Sequence, residues 1–540
     1  MKRILIPVAL LLFSAGVYLL FVLPNQIEQK FNDAIPENVE VNYKDFQVNL
    51  LDKSVVVETL KLEDNKVRVE MGRTEVKTEE YSGEMIQVQL NDVTLTDKEN
   101  EEIYKAQQVT IQEIDRKQLE ETSKNSTLRD LFDALKRDAI RQVEMNEVSV
   151  TRNGQTTTVD SVKVETLGEG KVFGIQAEGI RSKDSGSEIA IASVNVDEVE
   201  VDSEDQLTLN HLKLGGVQVK EGEGDLTIED VSIDQVRNQQ ANNFSMKQLN
   251  LQNFENIEKL SIESAEARNI PLVTLLESEI DLLQRLLGGT FEGLQLRNLF
   301  VQPDNEVAKQ VREIDLEQLD FGTTENGHRY VRNLKLNILG IVINLSDFPE
   351  DFAEQARNFT ESDEIGINLF LDITGSHEQQ DYELGIGVGL EKMADLHLEG
   401  HFSNVPIEIF EFEKYDESEL ESIISEKWTK IGVIKLLARY DERGFLEYSM
   451  GKFSTESGFS KATIARQVSQ QFKNTATRYN LSGSEEMASD LEKFVLEPKT
   501  LRIEFLPEVP LNFEEIAMLA LLNPSQLQQK SNFSLQSTPE

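Results

Sequence analysis

Between residues 55 and 321 the chain keeps returning to one eight-residue pattern, apolar–x–apolar–x–x–apolar–x–apolar, whose spacers are mostly Asp, Glu, Asn, Gln, Lys or Thr. It runs from Val55 to Leu62, Val88 to Leu95, Val143 to Val150, Val194 to Val201, Leu207 to Leu214, Leu226 to Ile233, Phe244 to Leu251, Leu294 to Val301 and Ile314 to Phe321. Alternation at period two predicts strands with one apolar and one polar face. The doubled spacer moves the phase by one residue, as a bulge or tight corner does, so both apolar pairs stay on one side. Successive copies begin at 194, 207, 226 and 244, a step of 13 to 19 residues. That step predicts about one strand out and one strand back per copy.

A few helices interrupt the strands. Leu128 to Val143 has Leu128, Leu131, Phe132, Leu135 and Ile140 at helical spacing behind Ser126-Thr127, which predicts a capped amphipathic helix. Pro271 to Leu287 opens on proline and closes on Gly288-Gly289, the punctuation of a second helix. Strands resume near Leu334, and Gly385, Gly387 and Gly389 alternate with Leu384, Ile386, Val388 and Leu390. The alternation continues as one strand, so these glycines are not a phosphate-cradling loop; their smooth face is expected to let another chain segment approach. Beyond Tyr415 helices are expected at Glu417 to Ile431, Lys461 to Tyr479 and Glu485 to Leu496. A hairpin is expected at Leu437 to Met450, turning through Asp441 to Gly444, and a proline-punctuated stretch at Leu501 to Leu511 precedes a short helix at Phe513 to Leu522.

Lys2 and Arg3 precede an apolar stretch from Ile4 to Leu23, whose 20 residues span ~30 Å as a helix, about the hydrocarbon thickness of a bilayer. The basic residues before it and Glu28, Asp33 and Glu37 after it predict an uncleaved signal anchor with the body outside the cytoplasm. Gln26 to Ile35 is expected to form a short helical neck. The expected layout is an anchor at 1–24, a repetitive β body at 25–410 and an α-rich module at 411–540.

The 540 residues carry 54 Lys and Arg against 97 Asp and Glu, a net charge of −43. No basic stripe exists for phosphate, so no nucleic-acid partner is expected. Cysteine is absent, which removes disulfides, thiolate nucleophiles and Cys-ligated metals. His397 and His401 share a strand face with Glu399; three polar residues on a solvated face are the expected reading, and no metal is assigned. Glu221-Gly222-Glu223-Gly224-Asp225 is a single acidic glycine segment, where calcium-binding β-rolls stack many, and it is expected to be a turn. Paired carboxylates such as Asp197-Glu198 and Glu229-Asp230 recur at the same place in each copy, whereas a general acid and base need two unlike environments at one site. No catalytic residue, cofactor or enzymatic activity is expected.

The N-terminal anchor, the β-rich body and strand phrases such as Val39 to Tyr43 leading to Val55 through Leu62 resemble the AsmA-like proteins of Gram-negative envelopes over residues 1 to about 400. The helical region after 415 has no match in that resemblance. It implies an inner-membrane-anchored periplasmic protein whose strands form a long curved sheet with an apolar channel, used in phospholipid transport or outer-membrane homeostasis. The fold class expected is therefore mainly β, an elongated, curved antiparallel repeat sheet with interspersed helices behind one transmembrane helix. The candidate lipid-contacting residues are Val194, Val196, Val199, Val201, Leu207, Leu209, Leu212, Leu214, Leu226, Ile228, Val231 and Ile233. Two other outcomes stay open, a closed β core serving as envelope scaffold and an anchored protein of the YdgA type.

Overall fold

The computed structural model describes residues 40–538, apart from 116–139, 272–292, 409–421 and shorter breaks elsewhere. The expected anchor and neck, most of the helix expected at Leu128 to Val143, the one expected at Pro271 to Leu287 beyond its first residue, and most of that at Glu417 to Ile431 lie outside the described residues. Among the described residues no helix is long and apolar enough to cross a membrane. The chain is mainly β, with 24 strands and six α-helices among the described residues. It divides into two compact units, residues 1–259 with 270–279, and residues 260–269 with 280–540.

The first unit contains β1 (Glu40–Asn42), β2 (Asp45–Asn49), β3 (Ser54–Glu63), β4 (Val67–Thr78), β5 (Met85–Asp97), β6 (Glu102–Asp115), β7 (Ile140–Arg152), β8 (Gln155–Gly168), β9 (Lys171–Lys183), β10 (Ser187–Val201), β11 (Leu207–Glu221), β12 (Gly224–Arg237) and β13 (Gln240–Phe254). From β3 to β13 each strand pairs antiparallel with the next, while β1 and β2 both lie along β3. One copy of the eight-residue pattern is thus one strand, and its step of 13 to 19 residues is a single crossing plus a turn rather than a strand out and back. The acidic glycine segment is the turn expected of it: β11 ends at Glu221, β12 starts at Gly224 and Gly222 sits at φ +59°. Ile140 to Val143 correct the end of the expected helix, because they open β7 and pair with β6 and β8.

The doubled spacer is a corner, and the corners line up. The ladders skip Thr59 opposite Gly72, Gly72 opposite Asp92, Asp92 opposite Gln107, Gln107 opposite Glu147 and Glu147 opposite Asp160. The same line continues through Gly179, Ala192, Gly216, Glu229 and Gln248 on β9 to β13, whereas the doubled spacers of β10 and β11 fall at a second break, Asp197 opposite Gly174 and Asn210 opposite Gln235. On every odd strand the skipped residue is left-handed: Thr59 (φ +54°), Asp92 (+52°), Glu147 (+49°), Gly179 (+66°), Gly216 (+61°) and Gln248 (+51°). A left-handed residue flips the alternation once, so Val57 and Leu60, or Leu90 and Val93, are buried together on the two flanks of one corner. Aligned across β3 to β13, the corners crease the sheet along a line that crosses its strands. The apolar rows lie on one face of the crease.

The second unit contains residues 260–269 of β14 (Ile257–Pro271), then β15 (Leu294–Pro303), β16 (Lys309–Thr323), β17 (Arg329–Asn344), β18 (Glu364–Ser376), β19 (Asp381–Leu390), β20 (Ala394–Ser403), β21 (Gly432–Glu442), β22 (Thr500–Phe505), β23 (Leu511–Asn512) and β24 (Ser534–Thr538). Its helices are α1 (Glu350–Thr360), α2 (Phe445–Ser457), α3 (Lys461–Arg478), α4 (Ser484–Leu496), α5 (Phe513–Leu522) and α6 (Pro524–Ser531). Strands β15 to β21 form an antiparallel meander; β22 and β23 pair with β21, and β24 with β22. Left-handed corners recur at Asn298 (φ +50°) on β15 and Gly340 (φ +65°) on β17, and the ladders from β18 to β20 run without a skip.

The helices at Lys461, Glu485 and Phe513 form as expected, α3 behind a Ser460 cap whose hydroxyl accepts the Thr463 N–H at 3.1 Å and α5 behind Asn512, which accepts from Glu515 at 2.7 Å. The hairpin expected at Leu437 to Met450 does not form. Strand β21 ends at Glu442, whose carboxylate accepts the N–H of Gly444 at 2.9 Å and of Leu446 at 2.5 Å. Those bonds satisfy donors at the start of α2, so Gly444 at φ +110° starts a helix instead of turning a strand back.

Candidate functional site

In the first unit the apolar rows meet two fates. From β3 to β7 they form a filled core of Val55, Val57, Leu60, Leu62, Val88, Leu90, Met145 and Val148 among others, with Leu60 fully buried. From β9 to β13 the same rows are mostly half-buried. Val194, Val199, Leu209, Leu212, Leu214, Leu226, Ile228 and Ile233 all retain accessible surface, and Val196 and Val231 are buried, while the side chains of Val201 and Leu207 lie outside the described residues. Ile189 on the same face of β10 is exposed. The set is brought together by register: Val194 stands opposite Leu214, Val196 opposite Leu212, Val199 opposite Leu209, Leu212 opposite Ile233, and Val201 opposite Leu207. Leu226 and Ile228 face Leu251 and Leu249, and Val231 and Ile233 face Met246 and Phe244. Apart from Val201 and Leu207 at the strand ends, each of these residues therefore has an apolar neighbour on both sides, and the surface they make offers no donor, acceptor or titratable group.

The outer face is ionic. Lys171 lies 2.9 Å from Glu198 and 3.0 Å from Glu200, and those carboxylates hold its ammonium above the usual lysine range. Lys213 reaches Asp230 at 3.5 Å, and His211 pairs with Asp234. Asp197-Glu198 and Glu229-Asp230 are thus spacers in which Glu198 and Asp230 have structural partners, on the side of the sheet away from the apolar rows.

The second unit carries a smaller apolar surface that sequence reasoning did not single out. Leu371, Ile386 and Leu398 stand in one cross-strand row and Leu369, Val388 and Leu396 in the next. Ile386 is 50% exposed and Leu398 46%, an unusual degree for aliphatic residues in the interior of a sheet. To one side Ile365, Leu390 and Met393 pack with Ala353 and Ala356 of α1 and with Phe445. To the other Ile373, Tyr382 and Leu384 pack with Val405, Ile431 and Phe513. Burial pushes the Tyr382 phenol upward. The bare rows lie between these two packed clusters. Their signal in the sequence was the alternation of Leu384, Ile386, Val388 and Leu390, read there through its glycines.

Those glycines serve a different purpose from the one expected. A Cβ on Gly387 would stand 2.8 Å from the His397 ring and 2.8 Å from Phe370, and one on Gly385 3.3 Å from Asp372. Among the described residues the smooth face accommodates side chains of the neighbouring strands. Above it lies a recess of about 330 Å³ lined by Lys335, Asp372, Glu383, His397, Glu399 and Lys435 among others. Both of its lysines have carboxylate partners, Lys435 with Glu399 at 2.8 Å and Lys335 with Glu317. His397 lies against Phe370 with ring centroids 5.5 Å apart, and His401 pairs with Asp381. The residues His397, Glu399 and His401 therefore face three different partners, and among the described residues no group of three or more His, Asp or Glu is placed to hold a metal ion.

A search of curated proteins finds no match to the chain. A family model described as "Uncharacterized protein" matches residues 387–538, the stretch from the middle of β19 to β24.

Proposed function

We propose that the chain handles phospholipid in a bacterial envelope, taking acyl chains onto the apolar face of β9 to β13. Residues 1–24 anchor it in the inner membrane and the body stands in the periplasm. The observation that carries this proposal is the contrast along one sheet. The same apolar rows are filled from β3 to β7 and half-open from β9 to β13. Exposed apolar patches beyond a few hundred Å² are rare on proteins that bind nothing. An acyl chain needs no hydrogen-bond partner, and this face offers none; the charged groups that would repel or desolvate badly stand on the opposite face. Residues Val194, Val199, Leu209, Leu212, Leu214, Leu226, Ile228 and Ile233 are the contacts proposed.

The test is a photo-crosslinking residue placed at Val199 or Ile228 in living cells, with Glu229 and Lys213 as outward controls. Phospholipid adducts are expected at the first pair and not at the second. Protein adducts alone at Val199 and Ile228, or none, replace lipid handling with the scaffold alternative, in which the face is a packed β core.

A further inference from the structure

We infer that the C-terminal end of α5 is a membrane-contacting tip, which inserts into the surface of a neutral phospholipid bilayer. Helix α5 reads FEEIAMLALL, and its inward residues tie it down: Phe513 lies 5.6 Å from Trp428 and 6.2 Å from Phe402 by ring centroids. Along its outward side Glu514, Ala517, Met518, Leu521 and Leu522 follow helical spacing and are exposed. Met518 is 52% exposed, and Leu521 and Leu522 are 84% exposed each. Leucines this bare protrude from the surface instead of lining a groove.

Size and charge decide what covers them. The three side chains offer on the order of 200 Å² at the area equivalent of ~25 cal/mol per Å², against about 800 Å² per partner in a stable protein interface. A second copy of the chain, or another protein, is therefore poorly served by this patch. A bilayer supplies apolar surroundings at a depth of ~5–10 Å without a complementary pocket. From Leu506 to Asn523 the chain contains no Lys or Arg and three carboxylates, Glu508, Glu514 and Glu515. Anionic lipid is thus repelled and zwitterionic lipid favoured, with little dependence on salt. The tip is independent of the lipid-handling proposal, because it needs nothing from β9 to β13.

The chain lacks cysteine, so Leu522→Cys gives one attachment point for a bimane fluorophore on the full chain, kept in solution with an amphipathic polymer. Ser457→Cys, exposed at the end of α2, is the control position. Phosphatidylcholine vesicles with brominated acyl chains are expected to quench the probe at 522 at least two-fold relative to unbrominated vesicles, and to leave that at 457 unchanged. The quenching should persist at high salt and disappear in Leu521→Asp and Met518→Asp, both exposed changes that leave the circular dichroism intact. No quenching at 522, equal quenching at both positions, quenching that requires anionic lipid, or a spectral response to unlabelled copies of the chain would each overturn the inference. Cross-linking at Val199 reports separately on the first unit, so the two proposals fail independently.

Discussion

At the scale of single residues the decisive feature is the left-handed corner. A non-glycine residue in that region costs about 1–2 kcal/mol, yet Thr59, Asp92, Glu147 and Gln248 all adopt it, Thr59 despite its β-branch. The alternative costs more, since a strand that passed the corner without the flip would turn its next apolar pair to water. Glu147→Gly should therefore be neutral or raise stability by up to about 1 kcal/mol, the relief being offset by the extra freedom of glycine in the unfolded chain. Gly216→Ala should lower it by roughly 1–3 kcal/mol, because φ is +61° and the new Cβ would stand 2.8 Å from that of Ala192. Urea denaturation of the two variants checks the pair, and equal losses in both would remove strain as the cause. Asp315 on β16 is a second residue with a legible sign. Burial, with repulsion from Glu317 and Glu313, raises its carboxyl above the ordinary 3.8. A raised carboxylate favours the protonated folded state, so it stabilises below its unfolded pKa and destabilises as pH rises through and beyond the folded one. Asp315→Asn should raise the melting temperature at pH 7 and have little effect near pH 3, and a gain confined to acid would reverse the assignment.

At the scale of elements, period-two alternation made the strands legible, and the doubled spacer made the corner legible. Copies at 194, 207, 226 and 244 fall on β10, β11, β12 and β13. The spacing suggests two strands per copy because an ordinary strand is short. A corner lets one strand reach 15 residues, as in β10, β11 and β13, so the step that looks like two strands is one. The hairpin after Leu437 was illegible for a local reason. Asp-Glu-Arg-Gly is good turn chemistry, and only tertiary pairing of β21 with β20, β22 and β23 turns Glu442 into a helix cap. For the candidate site the sequence shows which residues share a face, but how much of that face stays open depends on packing. Substitutions test the register itself. Leu212→Asp puts a carboxylate on the apolar face beside Val196 and Ile233 and should cost several kcal/mol, roughly. Lys213→Glu removes an exposed pair with Asp230 and should cost about 1 kcal/mol or less. Thermal melting that gave the same loss for both would show that β11 is placed in the wrong register.

At the scale of the whole molecule, charge sets the behaviour in solution. The excess of 97 carboxylates over 54 basic residues leaves −43, while pairs such as Lys61 with Glu70 at 2.8 Å and Arg439 with Asp441 at 2.8 Å engage many of the cations. The two populations respond oppositely to salt. Screening weakens each exposed pair, worth about 0–1 kcal/mol, and it also weakens the repulsion among the surplus carboxylates, which acts over a Debye length of ~30 Å at 10 mM salt and ~10 Å at 100 mM. The surplus acts at longer range than any single pair and has no partner to lose, so its relief is the larger effect. Raising sodium chloride from about 10 to 300 mM at pH 7 is expected to raise the melting temperature by several degrees and then level off, because the Debye length has by then fallen below ~8 Å. Moderate acidification toward the sequence pI of about 4.5 should mimic salt at first, since protonation removes the same repulsion, and should then promote association as net charge vanishes. Differential scanning calorimetry across salt at fixed pH is the measurement. A melting temperature that falls with salt would mean that the cross-strand pairs outweigh the surplus, and that the acidic outer face supports the strand pairing directly.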